Sequence, residues 1–289
     1  MSEKVSAPKL SPIFSCEEQQ LRIQLTYAYR LCALLGWDDL IYTHISVRIP
    51  SEPNHYLINP FGLLFSEIEP HNLLKVNLEG EIIGKNPFGY NPAGENIHGA
   101  IYNARKDVNA IVHLHTVNGM AISALKEGLL PICQQSCHFY GKIAYYDYQG
   151  ISVEKEEQED ILKTMGDKNV MIMRNHGTLT VGSELSEAFC SMHTLEKAAI
   201  VQLMALSTGR DIVLPEKEIC EKVLNQTSQL KTIKNYEIEW NALVRMLKQK
   251  EQRYYENEPI LFINKDISEN EAPLIPIGNN IEENKSNYF

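Results

Sequence analysis

Two short segments of the sequence place histidines where they could hold a metal ion. The β-branched run 108–115 ends in His113-Leu114-His115, and successive side chains of a strand point to opposite faces, so His113 and His115 share one face. A third imidazole could come from His176, which follows the apolar segment 170–173 at a predicted turn. Three neutral imidazoles leave a coordination position free, which is the arrangement of a catalytic rather than a structural zinc site.

Each of these histidines also has a simpler interpretation, as a hydrogen-bonded polar residue without a metal. A lone His-x-His pattern is common and has low specificity. The context favours the metal interpretation, because both segments are predicted strand ends followed by glycine or small residues, and loops at such places often carry functional groups.

The composition argues against several classes of protein. The chain has 289 residues, is 44% hydrophobic and carries a formal charge of −10. We expect no nucleic-acid binding, since contacts to a phosphate backbone require clustered Lys and Arg. We expect no membrane association either, because no apolar stretch approaches ~18 residues and the N-terminus lacks a signal-peptide apolar segment. Six cysteines without paired CxxC motifs indicate reduced thiols in a cytoplasmic protein.

The segments before residue 90 predict a helix packed with antiparallel strands. Apolar residues recur at helical spacing over 16–35, and Gly36 is a suitable C-terminal cap. Strands are predicted over 41–49 and 56–59, and a hairpin over 73–83. The first third of the chain therefore combines a helix with antiparallel sheet.

The segments after residue 90 add helices on either side of the histidine strands. Residues 91–94 are predicted as a turn and 95–105 as a helix, whose first turn carries Glu95. A carboxylate there is also favoured by the helix dipole alone, so Glu95 has a structural explanation as well as a catalytic one. Ser183 is predicted to cap a long core helix. Further helices are predicted over 117–125, 184–206 and 232–252, and a strand over 142–148.

The pattern divides the chain into three parts. Residues 1–15 contain prolines and no periodicity and are predicted as a flexible arm, and residues 16–255 form one domain. Residues 256–289 are predicted as an acidic flexible tail, because they carry half of the formal charge together with Asn, Pro and Ser.

Four ordered motifs resemble one known family. They are Ile41-Tyr-Thr-His-Ile-Ser-Val-Arg48, Asn91-Pro-Ala-Gly-Glu-Asn-Ile-His98, Val112-His-Leu-His-Thr116 and Arg174-Asn-His-Gly177. Their sequence and spacing resemble the class II aldolase/adducin family, and in particular its adducin-like bacterial branch, over about residues 20–250. The resemblance implies an α/β fold, a three-layer α/β/α domain around a mostly antiparallel sheet, and a homotetramer with metal sites near subunit interfaces. It also implies that His113, His115 and His176 are the metal ligands.

The sequence departs from the sugar-phosphate aldolases of that family at several positions. Their acid/base glutamate corresponds to Gly94, so that Glu95 is displaced from it by one residue. Their catalytic tyrosine corresponds to Gln135, for which Tyr140 could substitute. The residues that hold the substrate phosphate are also replaced, which argues against a sugar-phosphate substrate because a phosphate needs several donors. These replacements are His44, Phe61, Pro92 and Ala93.

Three functions follow from this resemblance. The first is a zinc-dependent lyase in which Zn²⁺ polarises a small hydroxy-carbonyl substrate, with Glu95 and Tyr140 as candidate catalytic residues. The second is a non-haem iron oxygenase, because imidazole ligands suit Fe²⁺ as well as Zn²⁺. The third is a non-catalytic interaction module like the adducin head domain, although retention of all three histidines favours a metal-dependent enzyme.

Overall fold

A computed structural model of the chain describes residues 14–84, 86–151, 157–230 and 233–254. The chain divides into two units, Met1–Gln249 and Lys250–Phe289. The sheet, the cores and the candidate site all belong to the first unit, whereas only residues 250–254 of the second are described, as the end of a helix. Most of the predicted arm and the whole predicted acidic tail, 256–289, lie outside the described residues.

A mixed sheet forms the centre of the described part of the first unit. Its seven strands lie in the order β3-β2-β1-β4-β7-β6-β5, and all neighbours are antiparallel except β5 and β6. The mostly antiparallel sheet expected from the sequence is therefore confirmed. The strands are β1 His44–Ile49, β2 Glu52–Ile58, β3 Leu74–Asn77, β4 Ala110–Leu114, β5 Ile143–Tyr146, β6 Val170–Met173 and β7 Gly177–Gly182.

Helices cover both faces of this sheet, and alternating strand residues reach the two cores. Ala110 and Val112 of β4 point to the core that contains α1, α7 and α9, while Ile111 between them points to the core on the other face, with residues of α3 and α6. The result is the three-layer α/β/α arrangement. The helices are α1 Cys16–Leu35, α2 Pro92–Gly94, α3 Ala100–Ala104, α4 Val117–Ser123, α5 Gln134–Cys137, α6 Glu157–Met165, α7 Leu185–Leu206, α8 Lys217–Leu230 and α9 Ile233–Tyr254.

Several predicted boundaries differ from the structure. The turn predicted over 91–94 is already helical, because the Asn91 side chain accepts a hydrogen bond from the backbone of Ala93 and starts α2. A π-helical segment, Glu95–Gly99, joins α2 to α3, so Glu95 lies past the first turn of a longer helical run. Ser183 does not cap α7. Its hydroxyl and backbone N–H both donate to the Glu187 carboxylate, and α7 begins after Glu184.

Two further predictions differ in extent. The hairpin predicted over 73–83 is reduced to β3 and a single bridge between Val76 and Ile82. Helix α8 was not predicted, although Cys220, Val223 and Leu224 recur at helical spacing. Cys220 is its one fully buried side chain.

Candidate metal centre

His113, His115 and His176 converge in the structure. His113 lies in β4, His115 follows β4 directly, and His176 lies in the turn between β6 and β7. The three ring centroids are 4.7 to 5.0 Å apart, and one ligand atom from each ring lies within 4.8 Å of the others. The Nε2 atoms of His113 and His115 are 3.1 Å apart. The structure therefore brings together the three residues that were predicted as metal ligands.

The backbone around His176 is shaped for this approach. Asn175 has a φ of +54°, which asparagine tolerates better than most residues, and this turns the chain tightly from β6 into β7. Gly177 follows, and a Cβ atom at that position would lie 2.5 Å from the backbone oxygen of Leu114 and 2.9 Å from Cδ2 of His115. Only glycine allows β7 to come this close to the end of β4, and that closeness brings His176 next to His115.

Hydrogen bonds orient the two rings from β4. Nδ1 of His113 donates to the backbone oxygen of Thr178 at 3.1 Å, and Nδ1 of His115 donates to Oδ2 of Asp39 at 3.1 Å. Since each Nδ1 carries a proton, each neutral ring presents the lone pair of Nε2 to the centre of the cluster. Such outer partners are typical of metal-bound histidines. Asp39 lies in the loop after α1 and was not identified from the sequence.

The environment keeps all three rings uncharged. Burial lowers the pKa of His113 well below its usual value, and the neighbouring imidazoles lower it further. Burial also lowers the pKa of His115, although Asp39 opposes this, and it lowers the pKa of His176 to about 4. Metal ligation requires neutral imidazole, so the three rings are ready to bind a cation at neutral pH.

A cavity of about 360 Å³ opens onto the cluster. Aromatic rings line part of it: Tyr42 and Phe61 have ring centroids 6.5 Å apart, and Tyr148 lies 6.4 Å from the ring of His176. The other described residues that line the cavity are Asp39, His44, Asn91, Ala93, His113, His115, Gly150 and Ile151. The volume lies in the range of small-molecule sites, which are usually mostly apolar with a few polar groups.

A buried hydrogen-bonded chain leads away from this cavity. His44 lines the cavity, and its Nδ1 lies 2.8 Å from Nε2 of His98. Nδ1 of His98 lies 2.5 Å from Oγ of Ser46, which is 2.8 Å from the hydroxyl of Tyr102. Burial lowers the pKa of His44 well below its usual value and that of His98 to about 3. This series of hydrogen bonds was not predicted from the sequence, although His44 and His98 both lie in the motifs that resemble the family.

The two predicted catalytic residues lie elsewhere. The Glu95 carboxylate packs against Gly80, where its atoms would lie 2.5 to 2.9 Å from an added Cβ. Tyr140 lines a separate depression of about 180 Å³, together with Phe139 and Tyr145. Neither is among the described residues that line the histidine cavity. Their catalytic roles therefore remain predictions without support from this chain's geometry.

One family profile matches more than half of the sequence. Residues 23–203 match the Class II Aldolase and Adducin N-terminal domain. Rat alpha-adducin is 47% identical over 195 residues, an alignment that covers 66% of this chain and 26% of the adducin. No helix among the described residues has both the length and the apolarity needed to cross a membrane.

Two solved structures have a similar fold. An aldolase II superfamily protein from Pseudomonas syringae has a TM-score of 0.78 and 44% identity, and the alignment covers 82% of this chain and 95% of that protein. An L-fuculose 1-phosphate aldolase from Glaciozyma antarctica PI12 has a TM-score of 0.73 and 30% identity, with 84% of this chain and 96% of that enzyme covered.

Proposed function

Because the chain belongs to the class II aldolase and adducin family, we propose that it is a metal-dependent lyase acting on a small hydroxy-carbonyl compound. One observation carries this proposal: three neutral imidazoles meet at one end of a cavity large enough for a small molecule. A cluster with an open coordination position is the arrangement that catalytic metal sites need.

The donor set fits a divalent metal. His113 and His115 would bind it through Nε2, since their Nδ1 atoms are engaged with Thr178 and Asp39, and His176 would supply the third nitrogen. We propose Zn²⁺ as the bound ion. The ion would supply a Lewis acid that stabilises negative charge on the substrate oxygens.

We propose His44 as the group that moves the proton. In the cleavage direction, Nε2 of His44 takes the proton of the substrate hydroxyl and the carbon–carbon bond breaks. The electron pair of that bond passes to the fragment that carries the carbonyl group, which becomes an enediolate. The same proton is then returned to carbon. His44 suits this role because it lines the cavity next to His113, with ring centroids 5.0 Å apart.

The hydrogen bonds that link His44 to His98, Ser46 and Tyr102 allow His44 both to accept and to donate a proton. When Ser46 accepts from His98, His98 accepts from Nδ1 of His44, and Nε2 of His44 is free to take a proton. When Tyr102 donates to Ser46 and Ser46 to His98, His98 donates to Nδ1 of His44, and Nε2 carries the proton instead. The two directions of these hydrogen bonds thus convert His44 between a base and an acid.

Proton exchange into dihydroxyacetone tests this proposal without knowledge of the natural substrate. Enediolate formation exchanges the carbon-bound protons of dihydroxyacetone with D₂O, which NMR detects. We expect exchange with the metal-loaded protein and none with His115→Ala. His44→Gln should reduce it by ~10²-fold or more, as for loss of a general base.

Glu95→Gln is the matched comparison, because it removes the carboxylate that was predicted as the base. We expect it to retain the wild-type rate, since Glu95 packs against Gly80. A large loss with Glu95→Gln and none with His44→Gln would reverse the assignment. Absence of exchange in fully metal-loaded protein would argue against the lyase itself.

Two other functions compete with the lyase, and metal analysis separates them. The identity to rat alpha-adducin favours an interaction module, for which no stoichiometric metal is expected. Three imidazole ligands also suit iron, so stoichiometric Fe²⁺ in protein purified without added metal would favour an oxygenase. Zinc supports the lyase. We further propose that the chain forms a homotetramer, which light scattering in solution measures.

A further inference from the structure

Resting on the function proposed above, we propose that the substrate is uncharged and carries an aromatic or similarly broad apolar group beside its hydroxy-carbonyl part. The walls of the metal cavity carry this inference. Tyr42 and Phe61 form a tilted pair with an interplanar angle of 56°, and Tyr148 lies edge-on to His176. The cavity therefore offers ring faces at its wall as well as next to the metal ligands.

Three of the side chains that line the cavity expose apolar surface. Tyr42 is 51% exposed, Tyr148 52% and Ile151 75%. Each lines the cavity rather than packing into a core cluster. A group of exposed apolar residues around a cavity commonly marks a binding site, because burying them against a ligand is favourable.

The charges of the cavity argue against a phosphate. Asp39 is the one charged side chain among the described residues that line it, and no Lys or Arg is among them. A divalent ion with three neutral imidazoles and one carboxylate has a net charge of +1, which matches one developing negative charge on the substrate. A phosphate would add about two further negative charges, and the described residues that line the cavity include no cationic side chain to pair with them.

Ligands that mimic the enediolate test this inference. We would measure the affinity of the full-length, zinc-loaded protein for acetohydroxamate, phenylacetohydroxamate and phosphoglycolohydroxamate by isothermal titration calorimetry. All three share the metal-binding hydroxamate and differ in the attached group. We expect phenylacetohydroxamate to bind about tenfold more tightly than acetohydroxamate, or better, because the phenyl ring is buried. We expect phosphoglycolohydroxamate to bind no more tightly than acetohydroxamate.

Variants of Phe61 and Tyr148 test whether these two rings cause the tighter binding of phenylacetohydroxamate. Phe61→Ala and Tyr148→Ala should each reduce the affinity ratio of phenylacetohydroxamate to acetohydroxamate severalfold. Stoichiometric zinc binding by each variant shows that it is folded. Phe88→Ala is the matched control, because Phe88 is an exposed aromatic residue outside the lining of the cavity. Phe88→Ala should keep the full affinity ratio of phenylacetohydroxamate to acetohydroxamate.

Each contrary result has a separate meaning. Equal affinity for acetohydroxamate and phenylacetohydroxamate, or preference for the phosphate compound, would overturn the substrate inference and leave the metal-dependent lyase intact. An unchanged phenyl advantage in both wall variants would overturn it as well. Failure of zinc-loaded protein to bind any of the three would overturn the proposed lyase and this inference together.

Discussion

Replacing Gly177 with alanine should weaken metal binding and destabilise the protein. The added Cβ would lie 2.5 Å from the Leu114 backbone oxygen, about 0.9 Å short of the 3.4 Å at which ordinary contact begins. It would also lie 2.9 Å from Cδ2 of His115. The carbonyl belongs to the paired strands β4 and β7 and cannot rotate away like a flexible side chain, so the turn that carries His176 must move.

The expected losses of stability and of zinc affinity follow from that displacement. Overpacking of this kind costs about 1–3 kcal/mol of unfolding free energy. A shift of several tenths of an ångström also exceeds the ~0.2 Å tolerance of metal–ligand distances, so we expect zinc affinity to fall by about tenfold or more. Chelator competition measures the affinity, and urea unfolding of the metal-free protein measures the stability.

Gly99→Ala is the matched control for Gly177→Ala. A Cβ at Gly99 would have no neighbour nearer than 3.9 Å, and the residue is helical, so alanine there should be neutral or stabilising by about 0.4–1 kcal/mol. If Gly177→Ala kept the zinc affinity and stability of Gly99→Ala, the close backbone approach at Gly177 would not be what positions His176 for metal binding.

Three further predictions concern the surroundings of the centre. Asp39→Asn should lower zinc affinity by about 10–100-fold in a chelator competition, because it removes the carboxylate that accepts from His115; an unchanged affinity would show that Asp39 does not orient the ring. The low pKa of His98, about 3 against about 6.5 in the unfolded chain, means that between pH 6.5 and pH 3 the unfolded chain binds this proton and the folded protein does not. Stability should therefore fall with decreasing pH by about 1.4 kcal/mol per unit from this residue, and urea unfolding at pH 7 and pH 5 should show a smaller loss for His98→Gln than for wild type. Phe189→Ala should cost about 3–5 kcal/mol in the same assay, since Phe189 is fully buried between Trp37 and Trp240.

The sequence was sufficient for features that depend on local periodicity. The β-branched run 108–115 predicts a strand, and the structure places its neighbouring residues Ala110 and Ile111 in different cores on opposite faces of the sheet. The same two-residue period places His113 and His115 on one face, where their Nε2 atoms lie 3.1 Å apart. The spacing of apolar residues likewise predicted the long core helix α7, whereas the mostly antiparallel sheet was implied by the family resemblance.

The local sequence pattern did not predict correctly where the helical run containing Glu95 begins. Glu95 was predicted in the first turn of a helix, but Asn91 starts the helical run earlier and a π-helical segment then changes the direction of the following side chains. The carboxylate consequently faces Gly80 rather than the histidine cavity.

The sequence by itself determined the family motifs, the types of residue available for chemistry and the strand that carries two of the histidines. Only the tertiary structure decided which groups surround the centre. Asp39 meets His115 across 76 positions of the sequence, and His44 meets His98 across 54. Contacts of this kind are set by strand order and helix packing, and neither is encoded in the spacing of neighbouring residues. The groups that surround the three histidines therefore depend on how the sheet is assembled.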